Sequence, residues 1–426
     1  MIVFGHPKSR MMNFEVSNSN ARLAVHLANI AAYYKLSRDT YRHKTFIEAA
    51  KLIEEYPFEI ASGAHARQTI PRVGPSLIQV IDEFLTTGTS DRLDELEAVH
   101  KDRKDVLDQF LKVYGIGPAL ANQYYDLGFR DLWDLWFEVP ASLAPEFGLS
   151  MESLKHLAVT EDILSEDDFD ELSKLCEFDS AETSELRQET SESELRQEAE
   201  EAMLSVFYRT LKSLATKSRL RFPSLTSAQK LGLEHVADLE LKIPREEMVE
   251  IETTIKKIFE ANPEFCPQNT EGSVDWLIAG SYRRGEPESG DVDVLIKSTK
   301  TNLVKLSNIV EILTNEGLLI GDLARGPTKY MGILKLDDHH PARRIDILIL
   351  PEKEWAFATL YFTGSARFNV LTRQRAIDMG LRMNEHGIVD QNGHVLQAQT
   401  EEDIFDILGI TYLSPEERAK NIPQLM

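Results

Sequence analysis

Apolar residues recur along this chain with two different periods, and the change between them divides it. Over residues 21–34 and 35–56, Ala, Leu and Ile return at three- and four-residue spacings, which predicts two helices. The same spacing predicts shorter helices at 76–85, 105–114 and 119–127. From residue 227 a compact pattern resumes. Pro244, followed by Glu246 and Glu247, marks the start of a helix that should continue to about Ala261. Strand-like runs then follow at 274–279, 291–297, 329–336 and 343–350, the second with its acids alternating against apolar residues, and an amphipathic helix is predicted at 302–316. The last stretch is mixed, with helices at 352–362, 366–379 and 402–408 and a hairpin around 383–395 whose turn contains Asn392-Gly393. The fold class implied is α+β: helical N-terminal domains, then a sheet domain and a small α+β C-terminal subdomain.

Two segments of the helical region share one design. Ile70-Pro71-Arg72-Val73-Gly74-Pro75 leads into one predicted helix, and Gly115-Ile116-Gly117-Pro118-Ala119-Leu120 joins two others. Helix, Gly-hydrophobic-Gly, helix is a hairpin whose turn amides can face a DNA phosphate, because glycine removes the Cβ that would block close approach. The first segment has Arg72 at the first glycine position. Lys35, Arg38 and Arg42 would share a helical face, either as a solvated basic surface or as phosphate contacts.

Composition adds bounds. The 426 residues carry 42% hydrophobic and 27% charged side chains, ordinary for a globular protein of several domains. No apolar run reaches the ~18 residues of a membrane span. Residues 1–15 read as a loose leader without a signal-peptide core, so an intracellular location is expected. Cys176 and Cys266, far apart in sequence, give neither a disulfide framework nor a zinc site. The net charge of −23 opposes a nucleic-acid partner until it is mapped. Residues 151–200 hold 17 Asp/Glu against 4 Lys/Arg, a net of −13, which leaves −10 for the other 376 residues. Exposed charges are screened over roughly 8–10 Å, so an acidic appendage need not spoil a basic groove. The block spans about 140–225 and repeats SELRQE at 184–189 and 193–198. It reads as a flexible or solvated-helical insert: a tolerated surface feature, a protein-binding segment or a DNA mimic.

The chemistry concentrates in GSYRRGEPESGDVDVLIK, residues 280–297. Gly280 and Ser281 open a turn, Arg283 and Arg284 follow, and Asp291 and Asp293 alternate onto one face of a strand. An anion-binding turn beside paired carboxylates is what Mg²⁺-dependent nucleotide chemistry requires. Asp346, in Arg343-Arg344-Ile345-Asp346-Ile347, is a third acid inside an apolar strand, where an unpartnered Asp is costly. A neighbouring strand would bring it beside the other two, and two Mg²⁺ ions would neutralise the trio; Mn²⁺ can substitute.

These motifs, with GPTKYMG (326–332) and YFTGSARFN (361–369), occur in the order and spacing of the family X DNA polymerases, and the chain resembles the β and λ branch over about 20–135 and 227–412. The resemblance implies a nucleotidyltransferase palm and four regions: a lyase-like helical domain (1–93), a helix-hairpin-helix subdomain with the acidic insert (94–245), the palm (246–351) and a C-terminal nucleotide- and template-binding subdomain (352–426). It implies dNTP contacts at Gly280, Ser281, Arg284, Gly290, Lys242, Tyr361, Phe362, Gly364 and Asn369. DNA contacts are implied at Gly74, Gly115, Gly117, Ala119, Arg92, Lys329, Arg344 and Arg373. Catalysis and metal binding fall to Asp291, Asp293 and Asp346. The implied partners are gapped or primer-template DNA, dNTP and, through the acidic insert, repair proteins, with a monomeric nuclear enzyme and no membrane association as the expectation.

Three departures and substitutions refine this. Template-independent relatives carry Gly-Trp where this chain has Tyr361-Phe362, and a longer loop than 337–342, so template dependence is expected. The family's lyase lysine position holds Val80, and a neighbouring family lysine is Ser76; without an amine no Schiff base forms there. Leu348 replaces an arginine that takes part in open–closed switching in the β enzyme.

Overall fold

A computed structural model describes residues 19–37, 39–160, 163–177, 191–262, 275–298 and 305–418. The expected leader, Arg38, Cys266 and the first SELRQE copy lie outside the described residues. The chain forms two compact units, one from residues up to 112 together with 116–224, the other from 113–115 together with 225 onward.

In the first unit, α1 (Ser19–Leu36) and α2 (Thr40–Glu55) place Leu23, Leu27, Ile30, Phe46, Ala50 and Ile53 in one core. Asp39 starts α2 by accepting a hydrogen bond from the Arg42 amide at 2.9 Å. That cap corrects the expected helix over 35–56: Lys35 ends α1 and Arg42 begins α2, so they share no helical face. Next come α3 (Gly63–Thr69), α4 (Pro75–Thr87), α5 (Asp91–Lys112) and α6 (Pro118–Asp126). The 22-residue α5 begins well before the expected 105, because it buries little besides Leu93, Leu107 and Phe110 and so shows almost no apolar period.

The acidic insert takes the helical alternative of its expectation but is packed rather than merely solvated. It follows α7 (Leu132–Phe137) and folds as α8 (Met151–Thr160), α9 (Glu166–Glu177) and α10 (Ser191–Lys217). Leu154, Ala158, Phe169 and Val206 make one small core, and Val139, Tyr208, Leu211 and Ala215 another. The charged majority hid these helical spacings. The second SELRQE copy opens α10.

The second unit begins with α11 (Ser227–Glu234) and α12 (Val236–Leu239), then β1 (Ile243–Pro244) and α13 (Arg245–Ala261). Its main sheet is built from β2 (Trp276–Ile278), β4 (Val292–Ser298), β5 (Leu319–Arg325), β6 (Lys329–Leu334) and β7 (Arg343–Pro351) in the order β2-β4-β7-β6-β5. In this sheet only β4 and β7 run parallel. The short helix α14 (Gly280–Arg283) follows β2, and β3 (Glu288–Ser289) pairs with β1. The edge strand β5 was not expected: two register irregularities against β6 erase its alternation. Helix α15 (Leu306–Asn315) joins α13 on one sheet face, where Met248, Ile251, Ile255, Ile309, Val310 and Leu313 bury Val292, Val294, Ile345 and Ile347.

The chain ends with α16 (Trp355–Thr363), α17 (Ala366–Asp378), the three-stranded β8 (Arg382–Asn384), β9 (Gly387–Val389) and β10 (Val395–Leu396), and α18 (Glu401–Leu408). Among the described residues no helix is long and apolar enough to cross a membrane.

Candidate active site

Alternation along β4 and β7 sends Val292, Val294, Ile345 and Ile347 into the helix-covered core, so Asp293 and Asp346 must point to the other face. Parallel register makes those two aspartates direct partners, and Asp291 stands two residues before Asp293 at the entry to β4. Further along this second face Leu295, Leu348 and Leu350 pack with Ala358 of α16 and with Phe362. The three acids therefore lie at one end of a face whose other end is apolar.

Their electrostatics are unusual. Asp346 is only 6% exposed, and its Oδ1 has no hydrogen-bond partner. Burial, with the Asp346 charge adding to it, pushes the Asp293 carboxyl up to about 6, against the pull of Lys329 and Arg284. Lys329 Nζ lies 3.1 Å from Asp346 Oδ2, while Arg344 is ion-paired to Asp291 and has its Nε 3.7 Å from Asp346 Oδ1. Among the described residues no three His, Cys, Asp or Glu side chains converge closely enough to hold a metal ion. Lysine and arginine instead stand against the carboxylates. The donor set itself, hard carboxylate oxygens with one buried and unsatisfied, fits Mg²⁺.

The turn after β2 is shaped around these acids. Gly280 adopts φ 60°, and a Cβ there would lie 2.7 Å from Asp293 Oδ2. Arg245 holds the turn by donating to the carbonyls of Tyr282 at 2.9 Å and Glu286 at 3.3 Å. Ser281 is half-exposed on α14. The Arg284 guanidinium donates to the Thr363 carbonyl at 2.7 Å, next to Gly364, and leaves its Nε without a partner. Lys242 Nζ is 3.4 Å from where a Gly290 Cβ would be, which places this lysine beside the glycine. In α16 and α17, Asn369 donates to the Tyr361 carbonyl at 2.8 Å, and the Arg373 guanidinium lies 4.8 Å over the Tyr361 ring while pairing with Glu385. Tyr361 meets Phe362 edge-on at 5.1 Å. Phe362 leans into the apolar cluster; Tyr361 remains partly open.

One network here was not foreseen. Glu401 is buried and accepts from Arg283 at 2.7 and 3.1 Å and from the fully buried Arg418 at 2.7 Å; Arg283 also donates to Thr363 Oγ1 at 2.7 Å. It clamps the turn to α18 and to α16. Burial opposes the Glu401 charge, but the two guanidinium partners win and hold its carboxyl below the usual range. Because the folded-state value is depressed, the clamp contributes stability at neutral pH and loses it as pH falls through that lowered value. Glu401→Gln should cost about 3–5 kcal/mol at pH 7, since it strands a buried arginine. Denaturant unfolding of both proteins between pH 3 and 8 checks this, with the gap narrowing toward acid.

The two hairpin segments have the same backbone. Gly115 (φ 78°) and Gly117 (φ −87°, ψ 174°) precede Pro118; Arg72 (φ 62°) and Gly74 (φ −91°, ψ 177°) precede Pro75. Arg72 thus takes the left-handed conformation expected of a glycine. Ile116 and Val73 are buried between them. An added Cβ at Gly74 or Gly117 would meet nothing within 4 Å, so neither glycine is demanded by packing, whereas one at Gly115 would crowd Gln229 at 3.1 Å. Ala119 is exposed on the first turn of α6. Arg92 is partly exposed and paired with Glu95 at 2.9 Å. Val80 is 2% exposed and belongs to the apolar core with Leu77, Ile81 and residues of α1, and Ser76 is exposed.

A turn poised on two strand-borne aspartates in register, with a third at the entry to the strand, defines a nucleotidyltransferase palm. Family models agree: residues 242–352 match the DNA polymerase beta palm, 358–419 the DNA polymerase beta thumb and 18–90 a helix-hairpin-helix domain. The chain is 26% identical to DNA polymerase lambda of Rattus norvegicus over 95% of its length, and 24% identical to DNA polymerase lambda of Arabidopsis thaliana over 90%. It is also 24% identical to DNA nucleotidylexotransferase of Xenopus laevis over 91%. It spans 57%, 59% and 66% of those proteins. The chain belongs to the family X DNA polymerases, of the β/λ type.

Proposed function

We propose that the chain is a template-dependent DNA polymerase that adds dNTPs to a primer 3′-hydroxyl and fills short gaps in DNA repair, without a 5′-deoxyribose phosphate lyase. The juxtaposition of Asp293 and Asp346 in register, with Asp291 at the strand entry, carries this reading. Asp291, Asp293 and Asp346 would hold two Mg²⁺ ions, which when bound supply charge neutralisation and Lewis acidity at the phosphates. The turn from Gly280 to Arg284, with Lys242 and Gly290, receives the triphosphate. Tyr361 and the backbone through Gly364 face the incoming sugar, and Asn369 and Arg373 reach minor-groove acceptors of the nascent pair. The primer oxygen bonds to the α-phosphorus as the bond to pyrophosphate breaks, and Asp346 accepts the hydroxyl proton. Arg344 steadies the primer end, and the amides at Gly74 and Gly117, where there is open space beside the Cα, take backbone phosphates. The division at 93, 245 and 351, nuclear location, a monomeric state and repair partners on the acidic helices belong to the same reading.

Tyr361-Phe362 and the short 337–342 connection favour templated over template-independent addition. Extension should be efficient on one-nucleotide gaps and recessed ends and near background on single strands. The lyase half rests on Val80, a buried side chain of the apolar core that itself carries no amine. Borohydride treatment with an incised abasic site should give no covalent adduct, and a trapped complex at stoichiometric yield would show a nucleophile elsewhere in the chain.

A further inference from the structure

We infer that the end of the acidic insert is a second contact surface for the DNA phosphate backbone, centred on Arg219 and Arg221 and continuous with the second hairpin. This rests on the polymerase reading for the identity of the nucleic acid and adds a site to it. Charge along the insert is segregated. Residues 151–200 carry a net of −13, yet residues 202–233 contain six Lys/Arg (Arg209, Lys212, Lys217, Arg219, Arg221 and Lys230) and no Asp or Glu. In a chain of net charge −23, a stretch of +6 without one acid stands apart.

Packing fixes this stretch against the hairpin. Tyr208, Leu211 and Ala215 are buried, so α10 is anchored on the apolar side of its last turns. The chain then turns at Arg219, and Phe222 meets Phe129 edge-on at 5.7 Å while the Pro223 carbonyl accepts from Tyr124 Oη at 3.3 Å. Tyr124 belongs to α6, the helix that Gly117 begins. Arg221 and Arg130 each sit one residue from the Phe129–Phe222 contact. Arg130 is held 4.0 Å over the Tyr125 ring by donating to the carbonyls of Tyr125 and Phe129. At about 1.5 Å per residue, the nine-residue α6 puts this cluster about 13 Å from Gly117, the rise of about four base pairs. A duplex seated on the turn would pass both.

Arg219 and Arg221 are exposed and have no carboxylate partner among the described residues, in contrast to Lys212, which pairs with Glu138 at 3.2 Å. Arg219 also adopts φ 60°, the left-handed conformation in which glycine is the unstrained choice, with its amide donating to the Thr216 carbonyl at 3.0 Å. Arg219 thus holds a cation at a turn whose backbone favours glycine, a conformation it shares with Arg72 and Glu138, both of which pair within the protein. Basic residues near a helix C-terminus also complement its dipole, and that role makes the opposite prediction for binding.

The test is fluorescence anisotropy of a one-nucleotide-gapped duplex with the full chain across a sodium chloride series, alongside melting temperatures. Arg219→Gln/Arg221→Gln should weaken binding about tenfold at 0.15 M salt and flatten the slope of log K against log salt by about 1.8, the value for two phosphates. Arg219→Gly removes the cation and relaxes the backbone, so it should weaken binding without lowering the melting temperature. Unchanged affinity and slope in both variants, with a lower melting temperature in the glutamine pair, would reduce these arginines to a helix cap and overturn the inference. A wild-type chain that neither binds nor extends the gapped duplex would instead overturn the polymerase reading on which it rests.

Discussion

Asp346→Asn is expected to abolish nucleotide addition, by at least about 10³-fold in single-turnover rate, while the protein stays folded and bound to DNA. The substitution keeps the shape of a side chain that is 6% exposed, so the packing of β7 is preserved. What disappears is a buried anionic oxygen, the unsatisfied Oδ1, and with it both the capacity to hold a hard cation and the proton acceptor. The melting temperature should change little, because the ion pair lost is to a half-exposed Lys329. Asp346 contributes the charge repulsion that helps to raise Asp293, and the neutral amide relieves it. Rapid-quench extension of a gapped substrate, with circular dichroism as the control, checks both halves. Activity within tenfold of wild type would remove Asp346 from the chemistry.

Gly280→Ala should be nearly as damaging, for a different reason. The residue occupies φ 60°, where an L side chain costs roughly 1–2 kcal/mol, and its Cβ would fall 2.7 Å from Asp293 Oδ2. Asp293 cannot retreat far, because Val292 and Val294 on either side are locked in the sheet core. The expected result is a drop of a few degrees in melting temperature and a loss of extension of about 10²-fold or more, as the turn and the carboxylate move apart. Gly117→Ala is the informative contrast. Its φ of −87° is ordinary and its surroundings are empty, so melting should be unchanged while DNA affinity falls. Equal destabilisation by the two substitutions would contradict the distinction between a glycine that makes room for a catalytic acid and one that makes room for DNA.

The features of the site written by local alternation were legible beforehand. Asp-Val-Asp-Val reads as acids on one face, and the apolar flanks of Asp346 required a partner, which the β4–β7 register supplies. Spacing of Gly-x-Gly before proline was equally direct. The Glu401 clamp was not legible, since Thr-Glu-Glu-Asp at 400–403 looks like a solvated helix start with its capping box. Only tertiary packing reveals that one of those acids is buried between Arg283 and Arg418. Charge misled in the same way elsewhere: α5 and the insert helices satisfy their backbones locally while burying a few apolar side chains, too few for composition to show. Asp39 also ended a helical face that periodicity alone ran through.

The central claim, templated addition at the Asp291, Asp293 and Asp346 centre, is tested most directly by single-nucleotide incorporation into one-nucleotide gaps, crossing each of the four template bases with each of the four dNTPs. Incorporation that follows the Watson–Crick partner of the gap base, and is absent from an unannealed primer, is the predicted result. Incorporation indifferent to the template base, or none with any combination in the presence of Mg²⁺, would contradict it.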